Sequence, residues 1–268
     1  MNGYVSRTAV SLAVFLGLSV SGAATAADLA PHRALYTLSL ERSESDSGVS
    51  AVSGTMAYEL SATCDAWNVE QRYRLKMVYS ESPDVTIASS LESSETRNGL
   101  RYRFDHKETR SDEEETTSGT AKLDRDGKGG SVEFAEPSGK TIKLPAGVLF
   151  PTAHTAVLID QAVAGETFVS KHIFDGGAAD APVLVTAVIG AKVEPDPELA
   201  KKSPLLDHPG WRVRLAFFPP DQKVEKPDYE LSMVLLDNGI SRDMVIDYDD
   251  YAIRAKLDDI EAMPRPGC

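Results

Sequence analysis

Apolar and polar residues alternate with a period of two along most of the chain after Leu35. The clearest run is Trp67 to Tyr79, in which one face carries Trp67, Val69, Tyr73, Leu75, Met77 and Tyr79. The opposite face carries amide and charged side chains, so the run predicts an antiparallel strand with one buried face. We expect Trp67 to be buried in the core of that face.

Similar alternating runs recur, separated by turn dipeptides such as Asn98-Gly99, Asp126-Gly127 and Asn238-Gly239. They give about fourteen strand candidates, which begin near residues 35, 50, 67, 84, 99, 116, 131, 139, 166, 182, 211, 229, 240 and 251. The fold class predicted is all-β, with a curled antiparallel sheet or a barrel. The irregular stretch Pro195 to Pro209 predicts an exposed loop with one short helical turn.

One segment departs from the alternation. Thr152 to Ala164 follows Pro151 and ends at Gly165, and Ala156, Leu158, Ile159 and Val163 recur at helical spacing. We predict a single helix that lies in or across the concavity of the sheet and buries Leu158, Ile159 and Val163 there, with a partly open apolar groove beside it. A helix that merely completes the core is the alternative.

The N-terminus has the pattern of an export signal. Arg7 supplies a basic region, Ala9 to Val20 is a short apolar run, and the small residues Ala24-Thr25-Ala26 form a cleavage motif. We therefore predict an exported protein with a signal peptide over residues 1–26 and a single β-barrel-like domain over residues 27–268. The apolar run is too short for a transmembrane anchor, and no later stretch has membrane-spanning length.

The charge balance of the chain argues against some classes of partner. The 268 residues carry 28 Lys and Arg against 41 Asp and Glu, a formal net charge of −13. Such an acidic chain repels nucleic acids and anionic membrane surfaces at long range. The charge therefore argues against both as partners.

The chain has two cysteines, Cys64 and the last residue, Cys268. In an oxidising compartment an even count first indicates one disulfide. A catalytic thiol and a metal site are the alternatives, but neither cysteine has a nearby histidine in sequence or a C-x-x-C spacing.

No motif indicates catalysis, a metal or a cofactor. The five histidines are scattered without paired spacing, at His32, His106, His154, His172 and His208. The G-x-S-x-G motif of serine hydrolases does not occur in the sequence. We therefore predict no catalytic residue, no metal and no cofactor.

Several stretches together resemble a known family, the cell-envelope integrity protein B (EipB-like) family of periplasmic proteins. They are APHRALYTLSL (Ala30 to Leu40), GTMAYELSATCDAWNVEQRY (Gly54 to Tyr73), LPAGVLFPTAHTAVLI (Leu144 to Ile159), FDGG (Phe174 to Gly177) and YELSMVLLDNGISRDMVIDYDDYAIRAKLDDIEAM (Tyr229 to Met263). The most specific features are Cys64-Asp65-Ala66-Trp67, the terminal Cys268 and the opening Ala30-Pro31-His32-Arg33.

The resemblance implies a β-spiral of about fourteen strands, an incompletely closed barrel, with a disulfide that joins Cys64 to Cys268. The strand count given above is not independent of this resemblance. Members of the family support envelope integrity under stress and have no established catalytic activity, so no catalytic residue is carried over.

Three functions remain in competition. The first is a non-enzymatic periplasmic scaffold or binding protein that maintains envelope integrity, with a periplasmic protein or envelope component as its partner. The second is a carrier of a lipid or other hydrophobic ligand, since a curved sheet can enclose an apolar interior. The third, an envelope hydrolase, is disfavoured because the sequence has no recognised nucleophile or metal motif.

The disulfide hypothesis makes a testable prediction. A thiol-reactive label should find no free thiol in the denatured, non-reduced protein, and Cys64→Ser or Cys268→Ser should lower the melting temperature by about several degrees. Two labelled thiols per native molecule would contradict the pairing.

Overall fold

The structure is a computed structural model, and it describes residues 27–220 and 226–268. The predicted signal peptide, residues 1–26, lies outside the described residues. The N-terminal strands are β1 His32–Ser43, β2 Val49–Ala62, β3 Ala66–Tyr79, β4 Val85–Thr96, β5 Arg101–Arg110, β6 Glu113–Leu123, β7 Gly130–Glu136 and β8 Thr141–Leu144. The C-terminal strands are β9 Phe168–Ile173, β10 Val183–Val193, β11 Gly210–Phe218, β12 Tyr229–Leu236, β13 Ser241–Asp247 and β14 Tyr251–Ala262.

These fourteen strands form one antiparallel sheet, in the order β8-β7-β6-β5-β4-β3-β2-β1-β14-β13-β12-β11-β10-β9. The all-β prediction is confirmed, and every predicted strand start lies within three residues of an observed one. The first and last strands pair in the middle of the sheet, and consecutive strands then extend outward from them on both sides. Each Asn-Gly or Asp-Gly dipeptide predicted to form a hairpin lies in the turn between two paired strands.

The middle of the sheet determines where the chain ends meet. His32 of β1 pairs with Ala262 of β14 on one side and with Leu60 of β2 on the other. The segment that follows β2 and the segment that follows β14 therefore leave the sheet at the same end. This register brings Cys64 and Cys268 together.

The main helix, α1, spans Pro151–Val163, one residue earlier at each end than predicted. Leu158, Ile159 and Ala162 pack into a core cluster with residues from both halves of the sheet, so the helix lies inside the curl as expected. The prediction that Val163 is buried is wrong, because its side chain is 68% exposed. At about 100° per residue the buried face is centred near Leu158, and Val163 falls at its margin in the last turn.

The long loop after β10 contains the predicted short helical segment as two elements, α2 over Pro197–Ala200 and a 3₁₀ turn over Pro204–Leu206. Among the described residues, no helix is long and apolar enough to cross a membrane.

The sheet does not close through its two outermost strands. In the part of the chain that the structure describes, β8 and β9 form opposite edges and do not pair with each other. Between them Leu149, which follows β8, forms a single bridge with Ile173 at the end of β9. Its N–H donates to His172 O at 2.9 Å, and its carbonyl accepts from Phe174 N at 3.1 Å.

Side-chain packing completes the closure. An aromatic group, which we call the seam cluster, contains Tyr102, Phe104, Phe134, Phe150 and Phe174. Ring centroids are 5.1 Å apart for Tyr102 and Phe150, and 5.4 Å apart for Phe104 and Phe174. These distances are typical of favourable aromatic pairs. The cluster joins β5 and β7 to the segments that flank α1 and β9.

The FDGG turn, Phe174 to Gly177, fits closely against this cluster. The Tyr102 hydroxyl donates to Asp175 O at 2.8 Å. Gly176 has φ +78°, and a Cβ there would lie 2.5 Å from the Phe104 ring. Only glycine satisfies both the backbone conformation and the close approach.

Phe174→Ala tests whether the seam cluster stabilises the fold. We expect a loss of about 3 to 5 kcal/mol in the free energy of unfolding, measured by urea denaturation, because a large buried ring is removed. Phe168→Ala is the matched control, since Phe168 lies on β9, the strand that ends just before Phe174, and is 59% exposed. Equal losses in the two variants would show that the seam cluster has no special role.

Candidate functional site

Helix α1 is attached to the wall of the sheet by a carboxylate. Its N-cap position is Phe150, which makes no side-chain capping hydrogen bond. Glu95 of β4 replaces the cap: its two carboxylate oxygens accept from Thr152 N at 2.8 Å and Ala153 N at 2.9 Å. These N–H groups have no partner within a helix, and the positive end of the helix dipole favours an anion there.

Glu95 is only 2% exposed and is the single Asp, Glu, Lys or Arg among the buried residues of the described chain. Burial raises the pKa of its carboxyl, and the hydrogen bonds from Thr152 and Ala153 partly offset that increase. A polar residue in this costly position indicates a specific role, which here is to fix the start of α1.

A cavity of about 250 Å³ lies between α1 and the sheet, and we call it the α1 cavity. Strands β1 to β5 form one wall, β11 to β13 form the other, and α1 contributes Thr152, His154, Thr155 and Leu158. Every lining residue is buried or half-buried. The predicted, partly open apolar space beside the helix is therefore present as the α1 cavity.

The lining has no formal charge from Lys, Arg, Asp or Glu. Most of its surface is apolar, with residues such as Leu60, Val69, Leu91, Met233 and Leu235. Neutral polar groups are interspersed among these side chains: Tyr58, Gln71, Ser93, Thr155 and Ser241, together with the imidazoles of His32 and His154.

Both imidazoles are neutral at pH 7. His154 is 7% exposed, and burial, with a smaller contribution from nearby Lys171, lowers its pKa from 6.5 to about 4. Burial also lowers the pKa of His32, although the contact between its Nδ1 and Ala30 O, at 2.8 Å, opposes that change. Burial likewise raises the pKa of Tyr58 to about 12, so this hydroxyl stays protonated.

The other histidines, His106, His172 and His208, do not line the α1 cavity. His106 Nε2 lies 3.0 Å from Ser89 Oγ, and His208 Nδ1 lies 2.7 Å from Asp237 Oδ1. His172 contributes its carbonyl to the bridge with Leu149. No group of three or more His, Cys, Asp or Glu residues that could hold a metal ion occurs in residues 27–220 and 226–268.

The two cysteines are adjacent at the end of the sheet, with Cα atoms 5.8 Å apart, which is compatible with a disulfide. Trp67 lies on the predicted inward face but is half-buried, so the prediction of full burial is wrong. The Arg97 guanidinium lies 3.6 Å from the centroid of the Trp67 ring and covers it. Trp67 stands at the beginning of β3, where it packs at the margin of a core cluster and the Arg97 cation also packs on its ring.

Sequence reasoning missed Glu95 and Gln71. Both occupy inward positions of their strands, in phase with apolar residues such as Val69 and Leu91. A polar residue in phase with an apolar face is the signal that could have identified them.

The fold and the cavity define a class: an open, barrel-like antiparallel sheet that encloses a helix and a mostly apolar cavity. A family model described as EipB-like matches residues 23–264. The chain is 34% identical, over 94% of its length and 92% of the relative's, to the cell envelope integrity protein EipB of Brucella abortus (strain 2308). The chain therefore belongs to the EipB-like family.

A solved structure agrees with this assignment. The crystal structure of a β-barrel-like protein of a domain of unknown function from Brucella abortus superposes with a TM-score of 0.81 at 31% identity. The match covers 89% of this chain and 100% of that one.

The lowered pKa of His154 makes a prediction about acid stability. Between pH 6.5 and about 4 the unfolded chain binds a proton at His154 that the folded chain does not. The contribution of His154 to the free energy of unfolding is therefore complete above pH 6.5 and is lost as the pH falls towards about 4. Between these pH values, the free energy of unfolding should fall by about 3 kcal/mol less in His154→Gln than in wild type. Urea denaturation at several pH values measures the difference, and parallel pH profiles would contradict the prediction.

Proposed function

We propose that this chain is an exported, non-enzymatic protein that maintains cell-envelope integrity by holding a hydrophobic ligand in the α1 cavity. The name of the Brucella abortus relative, a cell envelope integrity protein, supports the envelope role. The observation that carries the ligand is the cavity itself, about 250 Å³ with a mostly apolar lining that lacks Lys, Arg, Asp and Glu. Small-molecule sites typically combine apolar walls with a few polar groups in this way.

We infer the periplasm as the location. The basic and apolar regions of residues 1–26 support export and cleavage before residue 27, which leaves residues 27–268 as a single domain. An oxidising compartment would form the bond between Cys64 and Cys268, whose Cα separation supports the pairing.

A second candidate is a scaffold that docks a protein partner. One observation favours it: Phe168 of β9 pairs with Val188 of β10, and their side chains are 59% and 56% exposed. Because β9 is an edge strand, an extended apolar segment of a partner could add to it.

Filling the α1 cavity tests the first candidate. Ser93 lines the cavity, and Ser94 follows it on the opposite face of β4, so Ser93→Phe is the test and Ser94→Phe the matched control. Protein purified from its own periplasm should retain an additional ligand mass in native mass spectrometry for wild type and Ser94→Phe, but not for Ser93→Phe. Ser93→Phe should also fail to restore detergent resistance to cells that lack the protein.

The opposite results would exclude the ligand role. If wild type carries no additional mass and Ser93→Phe protects cells fully, the cavity is only an imperfection of the core. Loss of protection in Phe168→Ser, with ligand mass retained, would then favour the scaffold. Melting temperatures close to that of wild type in all the variants would exclude simple unfolding as the cause.

A further inference from the structure

Two neutral hydrogen-bonding groups stand next to each other on the wall of the α1 cavity. Tyr58 of β2 and Gln71 of β3 are directly paired across the two strands, and both side chains line the cavity. Paired residues on one face of a sheet have Cβ atoms about 5 Å apart. In the part of the chain that the structure describes, neither side chain has a hydrogen-bond partner in the protein, and the polar atoms of both retain accessible surface, so each can donate to and accept from a ligand.

Gln71 is half-buried, and its amide is a polar group in a mostly apolar wall without a hydrogen-bond partner from the protein. Gln71 is flanked along β3 by Val69 and Tyr73 on the same face, so an apolar residue would fit the pattern of the strand. A ligand that hydrogen-bonds to Gln71 and Tyr58 would satisfy both groups.

The cavity also restricts the charge of its ligand. A charged group brought inside would lose its hydration and find no opposite charge in the lining. Glu95 is not part of the lining, and its carboxylate is already engaged by the N–H groups of α1. The polar part of the ligand is therefore uncharged.

The volume restricts the ligand's size. A dry cavity of about 150 Å³ holds benzene, which has six carbon atoms, so about 250 Å³ holds about ten non-hydrogen atoms. Such a cavity has room for one short chain or for part of a longer chain. It is too small for the two chains of a phospholipid.

We infer that the α1 cavity binds a single acyl chain through an uncharged ester, amide or hydroxyl group that is hydrogen-bonded by Gln71 and Tyr58, with about ten non-hydrogen atoms of the ligand inside the cavity. This inference rests on the proposed function, because it names the class of hydrophobic ligand for the same cavity. It assigns Gln71 as the residue that selects the head group.

Isothermal titration calorimetry at pH 7.5 with three probes of equal chain length tests the inference. The probes are 1-decanoylglycerol, which is uncharged, decanoate, which is an anion, and decylammonium, which is a cation. We expect wild type to bind 1-decanoylglycerol at least about tenfold more tightly than either charged probe. Gln71→Met, which keeps the size of the side chain, should weaken that binding about fivefold or more and leave the charged probes unchanged.

Gln161→Met is the matched control, because Gln161 lies on α1 but is not part of the cavity lining. It should bind all three probes as wild type does. Equal affinity of wild type for charged and uncharged probes, or unchanged binding in Gln71→Met, would overturn the inference while the cavity remained a ligand site. If no probe binds to wild type, both the inference and the proposed hydrophobic-ligand function fail.

Discussion

An open sheet must hold two unpaired edges without a continuous ladder of hydrogen bonds between them, and this constraint governs the architecture of the protein. Strand pairing extends without interruption from β8 to β9, but the circle is completed by one bridge at Leu149 and by the seam cluster. Rings can pack at a range of angles, so aromatic packing tolerates a gap that a regular ladder would not bridge. The segments that flank α1 and β9 provide Phe150 and Phe174, which places the helix next to the seam.

The position of α1 depends in turn on Glu95. A helix that starts at Phe150 and Pro151 has no capping side chain of its own, and its first N–H groups would be buried without partners. The carboxylate from β4 satisfies two of them and fixes the start of the helix relative to the wall. Further along α1, Leu158, Ile159 and Ala162 fill the core on one side. The space that remains between the fixed N-terminal turn and the sheet is the α1 cavity.

Local patterns were sufficient to predict the strands, because each inward-facing residue follows a period of two and each hairpin has recognisable turn residues. The helix was predictable to within one residue from Pro151 and Gly165. The degree of burial at the ends of elements was not predictable: Val163 and Trp67 both follow the apolar phase, yet Val163 is exposed and Trp67 is only half-buried. Glu95 acts on a helix that begins 56 residues later in the chain, at Pro151, and sequence spacing contains no information about such a contact.

The distribution of charge separates the inside of the curl from its surface. A chain with a formal net charge of −13 keeps its ion pairs outside, for example Arg33 with Glu59 and Arg72 with Glu92 on the outward face of neighbouring strands. Inside the curl, burial keeps His154 and Tyr58 neutral, and the buried carboxylate of Glu95 accepts hydrogen bonds from backbone N–H groups of α1. Burial of a charge without compensation would oppose folding, so the wall must use neutral groups wherever it needs polarity. Gln71 and Tyr58 therefore give the cavity hydrogen-bonding capacity without a charge, and this combination distinguishes a selective site from a packing defect.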